Sequence, residues 1–351
     1  GGFCPVKFRL LIVDNFQIRR YGKVREGAGQ RFYYGAIRND WRVMTFSERD
    51  ITRYLSPLGF MRNVGARLMN RRLVEAARNF RPDMILIGNC DYVSGATLDE
   101  IHRALPGVRI AHVNVDALWQ EHTCRQIAAR QNSCDGIFVT TAGEPLKTWV
   151  TGKNIVAYMP NPCDPAIDGN MPPENPCYDL FFAGCCAEDD ERRALLEMLV
   201  SKLEGRARLG IFGCLSRPPV RGSAYEDALA GSAMGLNANR REGWKWYSSD
   251  RIVHLMGNGI CTFLSARSGL QEFFKADAEA VFFSGAEDLL EKICYYMREK
   301  KECRTVALAG RKAYCRMFSA ERVLRYLREL LFGVGYSDSY EWQQEVYGFD
   351  A

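Results

Sequence analysis

The chain has 351 residues, 47% apolar and 25% charged, with 47 Lys plus Arg against 42 Asp plus Glu. That length exceeds one ordinary core, so two domains are expected, and a net charge of +5 is too mild to imply nucleic acid. Thirteen cysteines are scattered singly except for Cys185 and Cys186, with no Cys-x-x-Cys, no secretory leader and no apolar run near the roughly 18 residues of a membrane span, which predicts reduced thiols in a cytoplasmic protein, with neither a disulfide framework nor a metal site.

FRLLIVD (8–14) reads as a buried strand and leads into an Arg- and Gly-rich stretch over 15–30. RVMTF (42–46) is a second strand, residues 64–80 are helical, and a third strand lies within 81–89. TLDEIHRAL (97–105) opens on Thr97 with Glu100 three residues on, which predicts a capping box. Further strands fall within 108–116, 134–141 and 154–160, and strands alternating with helices predict a parallel sheet covered on both faces. NPCDPAIDGNMPPENP (161–176) holds five of the thirteen prolines and reads as a linker. The alternation then restarts, with strands at 178–184, 207–213, 234–239, 261–265 and 279–284. Helices are expected at 191–205, 223–232, 286–301 and 319–332. The expected fold class is α/β, with two Rossmann-like domains over residues 1–163 and 164–351. They would face an interdomain cleft and close on a ligand, the last helix being free to cross back.

In open α/β sheets ligands bind beyond the carboxyl ends of the strands, which selects three loops of the second domain. The first carries Gly184, the second Gly213, and the third leads through Trp244, Trp246 and Tyr247 to SSDRIVHLM, with Ser248 or Ser249 as expected N-cap and Arg251 beside it. Glycines, a helix start and an arginine suit an anion such as a diphosphate, although a well-capped helix alone explains SSDR equally. The aromatic residues serve either to stack on a base or sugar or to anchor the core.

In combination, GLNANR, SSDRIVH, GNGICTFL, GLQEFF and AEAVFF resemble the carboxyl half of GT-B glycosyltransferases of the spore-maturation CgeB-like group, over roughly residues 80–330. YMPNPCDPAID resembles the close of the first domain in such enzymes. The resemblance implies a GT-B fold and a transferase moving a sugar from a nucleotide-diphosphate-sugar donor to a carbohydrate, lipid-linked or protein acceptor, with no cofactor and no catalytic metal. It implies donor binding by Gly184, Gly213, Asn237, Tyr247, Ser248, Ser249, Arg251 and Glu279. One departure stands out. His254 occupies the position of the group's usual glutamate, and Trp246 that of a partner glutamate, which leaves a non-catalytic nucleotide-sugar or glycan-binding protein as the alternative. A nicotinamide enzyme is disfavoured because no Gly-x-Gly-x-x-Gly follows the first strand.

In the first domain, Asp14, Asp91 and Asp116 stand at strand ends, where a carboxylate can take a proton from an acceptor hydroxyl. With His254 they form the expected catalytic set, each Asp alone being equally suited to capping a turn. Arg19, Arg20 and Arg25 lie in a loop suited to an anionic acceptor or to peripheral association with the inner membrane surface, or simply to solvation. Of the four histidines, His102 is expected on a helix surface, His112 in the core and His122 facing a cleft.

Overall fold

In the computed structural model, which describes residues 7–23 and 27–348, the alternation builds two separate sheets. The first unit comprises residues 7–22, 27–162 and 319–348, and the second residue 23 together with residues 163–318.

The first unit runs β1 (Arg9–Asp14), α1 (Ala28–Arg38), β2 (Arg42–Ser47), α2 (Glu48–Tyr54), α3 (Arg62–Phe80), β3 (Met84–Ile87), α4 (Gly95–Ala104), β4 (Arg109–Asn114), α5 (Glu121–Ala128), β5 (Gly136–Val139) and β6 (Ile155–Tyr158). The second runs β7 (Tyr178–Ala183), α6 (Glu191–Leu203), β8 (Leu209–Phe212), α7 (Ser223–Ala230), β9 (Ser232–Asn237), α8 (Arg251–Met256), β10 (Cys261–Ser265), β11 (Val281–Phe283), α9 (Ala286–Arg298) and α10 (Lys300–Met317). The chain then rejoins the first unit as α11 (Ala320–Phe332) and β12 (Val346–Tyr347).

The first sheet has the order β12-β6-β5-β4-β3-β1-β2, parallel except for β12 on β6. The second has the order β11-β10-β9-β7-β8, parallel throughout. Strands covered on both faces must be apolar along their whole length, and Leu10 to Val13 and Met84 to Ile87 are all fully buried. In the second unit Leu180, Phe182, Leu236 and Phe263 pack against Leu196 and Leu199 of α6 and Ile293 of α9. Among the described residues no helix is long and apolar enough to cross a membrane.

Residues 319–348 pack with the first unit, the crossing back that the sequence left open for the last helix: Gly35 of α1 lies so close to α11 that a Cβ would sit 2.6 Å from the Ala320 backbone. Three details depart from the sequence expectations. The helix expected at 286–301 breaks at Glu299, and α10 follows it. Ser94, not Thr97, caps α4, its hydroxyl accepting the Thr97 N–H at 3.2 Å. Cys186 and Cys214 form a disulfide with Cα atoms 5.3 Å apart. They follow the neighbouring strands β7 and β8, a proximity that sequence spacing does not reveal.

Candidate functional site

Both sheets gather polar residues at their carboxyl edges. In the second unit Arg251 opens α8 and turns back under the ends of β7 and β9. Its Nε donates to the Ala183 carbonyl and its Nη1 to the Ala238 carbonyl, both at 3.1 Å, and its guanidinium lies 4.6 Å from the centre of the Phe182 ring. The hydrogen bonds of Arg251 among the described residues use Nε and Nη1 and leave out Nη2, which lies against Gly184, where a Cβ would come within 2.7 Å of it. Only glycine lets the β7 loop pass there. Gly213, at the end of β8, takes φ +74° and packs against the Gly184 carbonyl.

A second arginine shares that ring. Arg192, in the first turn of α6, lies 5.7 Å from the Phe182 centre, and its Nη2 donates to the Cys185 carbonyl. Its Nε is 3.6 Å from Asp190, which Arg240 also approaches at 3.6 Å. Burial and the neighbouring Arg251 charge press the Arg192 pKa down to about 10, so Arg192 stays cationic at neutral pH, and burial lowers that of Arg251. Two guanidiniums thus share one buried carboxylate, and a third, Arg251, lies across the Phe182 ring from Arg192, with the exposed Asp250 beyond. Excess positive charge held away from water favours an anion.

The remaining donor-side expectations distribute unevenly. Asn237 Nδ2 donates to Ser248 Oγ at 2.8 Å, and Ser248 Oγ donates to the Ser249 carbonyl. Neither serine caps α8: the N-cap is Asp250, in helical conformation and with no side-chain cap bond, because Ser248 is bound into the loop. Ser249 Oγ instead meets Arg251 Nη1 at 3.4 Å. At six residues α8 is too short for its dipole to hold an anion, so the charge rests on the arginines. Tyr247 is buried, and its carbonyl accepts from Asn239 Nδ2. Trp246 is fully buried against Phe273, which makes it a core anchor and not a stacking platform. His254 is buried as well, its Nδ1 2.8 Å from the Tyr225 hydroxyl and its Nε2 3.9 Å from Asp250. Glu279 lies apart: it precedes β11, at the amino-terminal edge of the parallel sheet, and accepts the Lys275 N–H. It is therefore not brought to the edge where Arg251 stands.

Beside the arginines, a pocket of about 310 Å³ opens at the carboxyl ends of β9, β10 and β11, lined by Arg192, Asn239, Glu242, Ser265, Arg267 and Ser284. Burial raises the Glu242 pKa, and Glu242 accepts the Asn239 N–H at 2.9 Å. Arg192 and Glu242 were not anticipated from sequence. The Arg192 signal was present, an arginine in the first turn after a strand ending in glycine.

In the first unit the three predicted aspartates do share the carboxyl edge. Asp14 is buried, and burial raises its pKa against the N–H groups of Asn15, Asn89 and Gly29 that favour its charge. A Cβ at Gly29 or Gly88 would run into its carboxyl, so Asp14 commits its oxygens to tying α1 and the β3 loop to β1. Asp91 is more open. Arg49 grips it through Nε at 2.7 Å and Nη2 at 2.9 Å, and Gln126 Nε2 and His122 Nε2 lie 3.2 and 3.4 Å from its Oδ1. Asp116 follows β4, its N–H donating to Asn114 Oδ1. Glu48, which sequence reasoning missed, is wholly buried, accepts the Tyr92 N–H at 2.5 Å, and is pushed up to about 7 chiefly by burial and then by the Asp91 charge. Its signal was a carboxylate directly after a strand.

Arg19 and Arg20 form a short 3-10 turn in which the Arg19 side chain lies 3.8 Å from Asp50 and Arg20 is exposed. Arg25 lies outside the described residues. Among the other histidines, His102 lies 3.4 Å from Asp135 and His112 is fully buried in β4. A larger cavity, about 680 Å³, opens at the opposite edge of the first sheet beside Arg109 and Phe332. Among the described residues no group of His, Cys, Asp or Glu is arranged to hold a metal.

A sequence model of the glycosyl transferase-like family matches residues 192–329. No curated protein matches the chain in sequence. Solved structures share its fold at low identity. An α-glucosyltransferase crystallised with UDP-glucose and DNA containing an abasic site is 12% identical with a TM-score of 0.61, covering 92% of this chain and 99% of that one. Sucrose-phosphate synthase from Thermosynechococcus elongatus is 12% identical with a TM-score of 0.57, over 94% and 100%. HepE from Anabaena, in complex with UDP and glucose, is 10% identical with a TM-score of 0.54, over 93% and 100%. The fold is of the GT-B type.

Proposed function

We propose that the chain, which carries a glycosyl transferase-like domain on a GT-B scaffold, is a glycosyltransferase whose second unit binds a nucleoside diphosphate sugar and whose first unit binds the acceptor. The observation that carries this reading is the pair of buried arginines, Arg192 and Arg251, over one phenylalanine ring. Such a pair repels itself until an anion arrives, and Arg251 Nη2 keeps a donor free for one. UDP is the first diphosphate to test, since it is the nucleotide in the structures of similar fold. The strand-end pocket beside Arg192 is of a size and polarity to take part of the donor.

In the transfer, the two guanidiniums stabilise the charge that grows on the leaving diphosphate, and no metal or other cofactor is needed for that step. On the acceptor side Asp91 orients His122, which is half exposed and placed to take the proton of a sugar-type hydroxyl. Asp14 holds the loops that carry this pair. His254 then serves the donor site through Tyr225, not through solvent. The sequence motifs favour the CgeB-like group and a carbohydrate, lipid-linked or protein acceptor. The non-catalytic alternative is not favoured, because the family match and both strand-edge clusters point to transfer.

Calorimetry with UDP and with uridine tests the donor reading. Binding of UDP well above that of uridine is expected, and equal weak binding would contradict it.

A further inference from the structure

We infer that the first unit carries a docking surface for an anionic lipid bilayer, built from the turn at residues 18–21 and the segment 53–61. Apolar side chains this exposed are uncommon, and here they cluster. Ile18 is 69% exposed, Tyr21 87%, Tyr54 87%, Leu58 81% and Phe60 70%. Asp50 joins the two segments: its carboxylate accepts the N–H of Ile18 at 2.9 Å and of Arg19 at 3.4 Å from the first turn of α2, and α2 delivers Tyr54 and the following 3-10 turn, Pro57–Gly59. Tyr21 and Leu58 also hold φ of +52° and +54°. A bulky residue gains nothing from the core at an exposed left-handed position and loses conformational ease. The fold does not account for these residues, so a partner is the better explanation.

Charge selects the partner. Across residues 15–23 and 49–67 the one acidic side chain besides the basic ones is Asp50, which the turn already occupies. Arg20, Arg53 and Arg67 are exposed and form no ion pair among the described residues. Apolar tips flanked by unpaired arginines match a bilayer surface, the tips entering the headgroup–acyl boundary and the arginines meeting lipid phosphates. A nucleic acid would use the arginines but leave Leu58 and Ile18 without purpose. This inference stands on the surface alone and holds whether or not the donor reading is correct.

The test is sedimentation of the full chain with vesicles of phosphatidylcholine, or of phosphatidylcholine mixed equally with phosphatidylglycerol, at low and high salt. The chain is expected to sediment with the anionic vesicles, less so at high salt, and to leave the neutral ones. The double variant Leu58→Asp, Phe60→Asp should weaken this at least about tenfold, and Arg20→Ser with Arg53→Ser by roughly fivefold per arginine. All variants should keep the parent melting temperature and UDP affinity, because the changed residues are exposed. Failure to sediment with anionic vesicles at low salt would overturn the inference, as would equal binding to both vesicles or parental sedimentation of the Leu58, Phe60 variant. Self-association abolished by that variant would assign the patch to a second copy of the chain instead.

Discussion

Replacing Arg251 with alanine should damage two things by different amounts, and the structure fixes both. The guanidinium donates to two strand-end carbonyls, Ala183 and Ala238, while Nη2 is left for a ligand. Losing the ligand contact, a charge-assisted hydrogen bond, should weaken UDP binding by about 1.5–3 kcal/mol, roughly ten- to a hundredfold, and leave uridine binding unchanged. Losing the latch leaves two carbonyls without their donors, offset in part by removing a buried charge, so stability should fall by about 2–4 kcal/mol and the melting temperature by the order of 5–10 °C. Arg251→Lys keeps the charge but not the planar fork, and should retain more diphosphate affinity than Arg251→Ala while losing similar stability. Calorimetry with UDP and uridine, beside thermal denaturation of each variant, separates the effects. If Arg251→Ala melts lower but binds UDP as tightly as the parent, the residue is a structural latch and the reasoning fails.

Burial lowers the His112 pKa, so the unfolded chain takes up the proton first as pH falls: this stability is complete above about 6.5 and is lost below it. Melting between pH 7.5 and 5.5 should show the loss, and His112→Leu should abolish that dependence. Glu48 has the opposite sign. Its pKa is raised to about 7, so its contribution is present at low pH and is lost as pH climbs through 7, and Glu48→Gln should raise the melting temperature at pH 8 but not at pH 4. Mass mapping of the alkylated, denatured, unreduced chain should find Cys186 joined to Cys214 and the ten other cysteines among the described residues free, and reduction should cost roughly 3–4 kcal/mol for a loop spanning 28 residues. Asp91→Asn should lower kcat on the acceptor far more than it changes UDP affinity, measured with the acceptor varied at saturating donor.

Much of the fold was legible because parallel strands buried on both faces must be apolar throughout, as LLIV over 10–13 and MILI over 84–87 are. The return of α11 stood only as an open alternative, because an amphipathic helix carries no mark of which sheet it will cover; the contact of Gly35 with Ala320 exists only once the chain has folded. The strand-end rule brought Arg251, Gly184 and Asn237 to one edge of the second sheet and three aspartates to one edge of the first. It also exposes the misplacement of Glu279, which precedes its strand and so falls at the other edge. The serine cap failed because Ser248 found Asn237, a partner eleven residues away that local pattern does not show. Arg192 and Glu48 were missed because nothing local marks a charged residue as buried, although each directly follows a strand or opens a helix at the site's edge.

The central claim is that this chain releases a nucleoside diphosphate from a sugar donor held by Arg192 and Arg251. The direct measurement is release of UDP from a panel of UDP-sugars by the purified chain, compared with Arg192→Ala and Arg251→Ala. The account predicts release with at least one donor, lost in both variants while they remain folded. Release that persists in both folded variants, or no release together with no diphosphate binding by the parent, would contradict it.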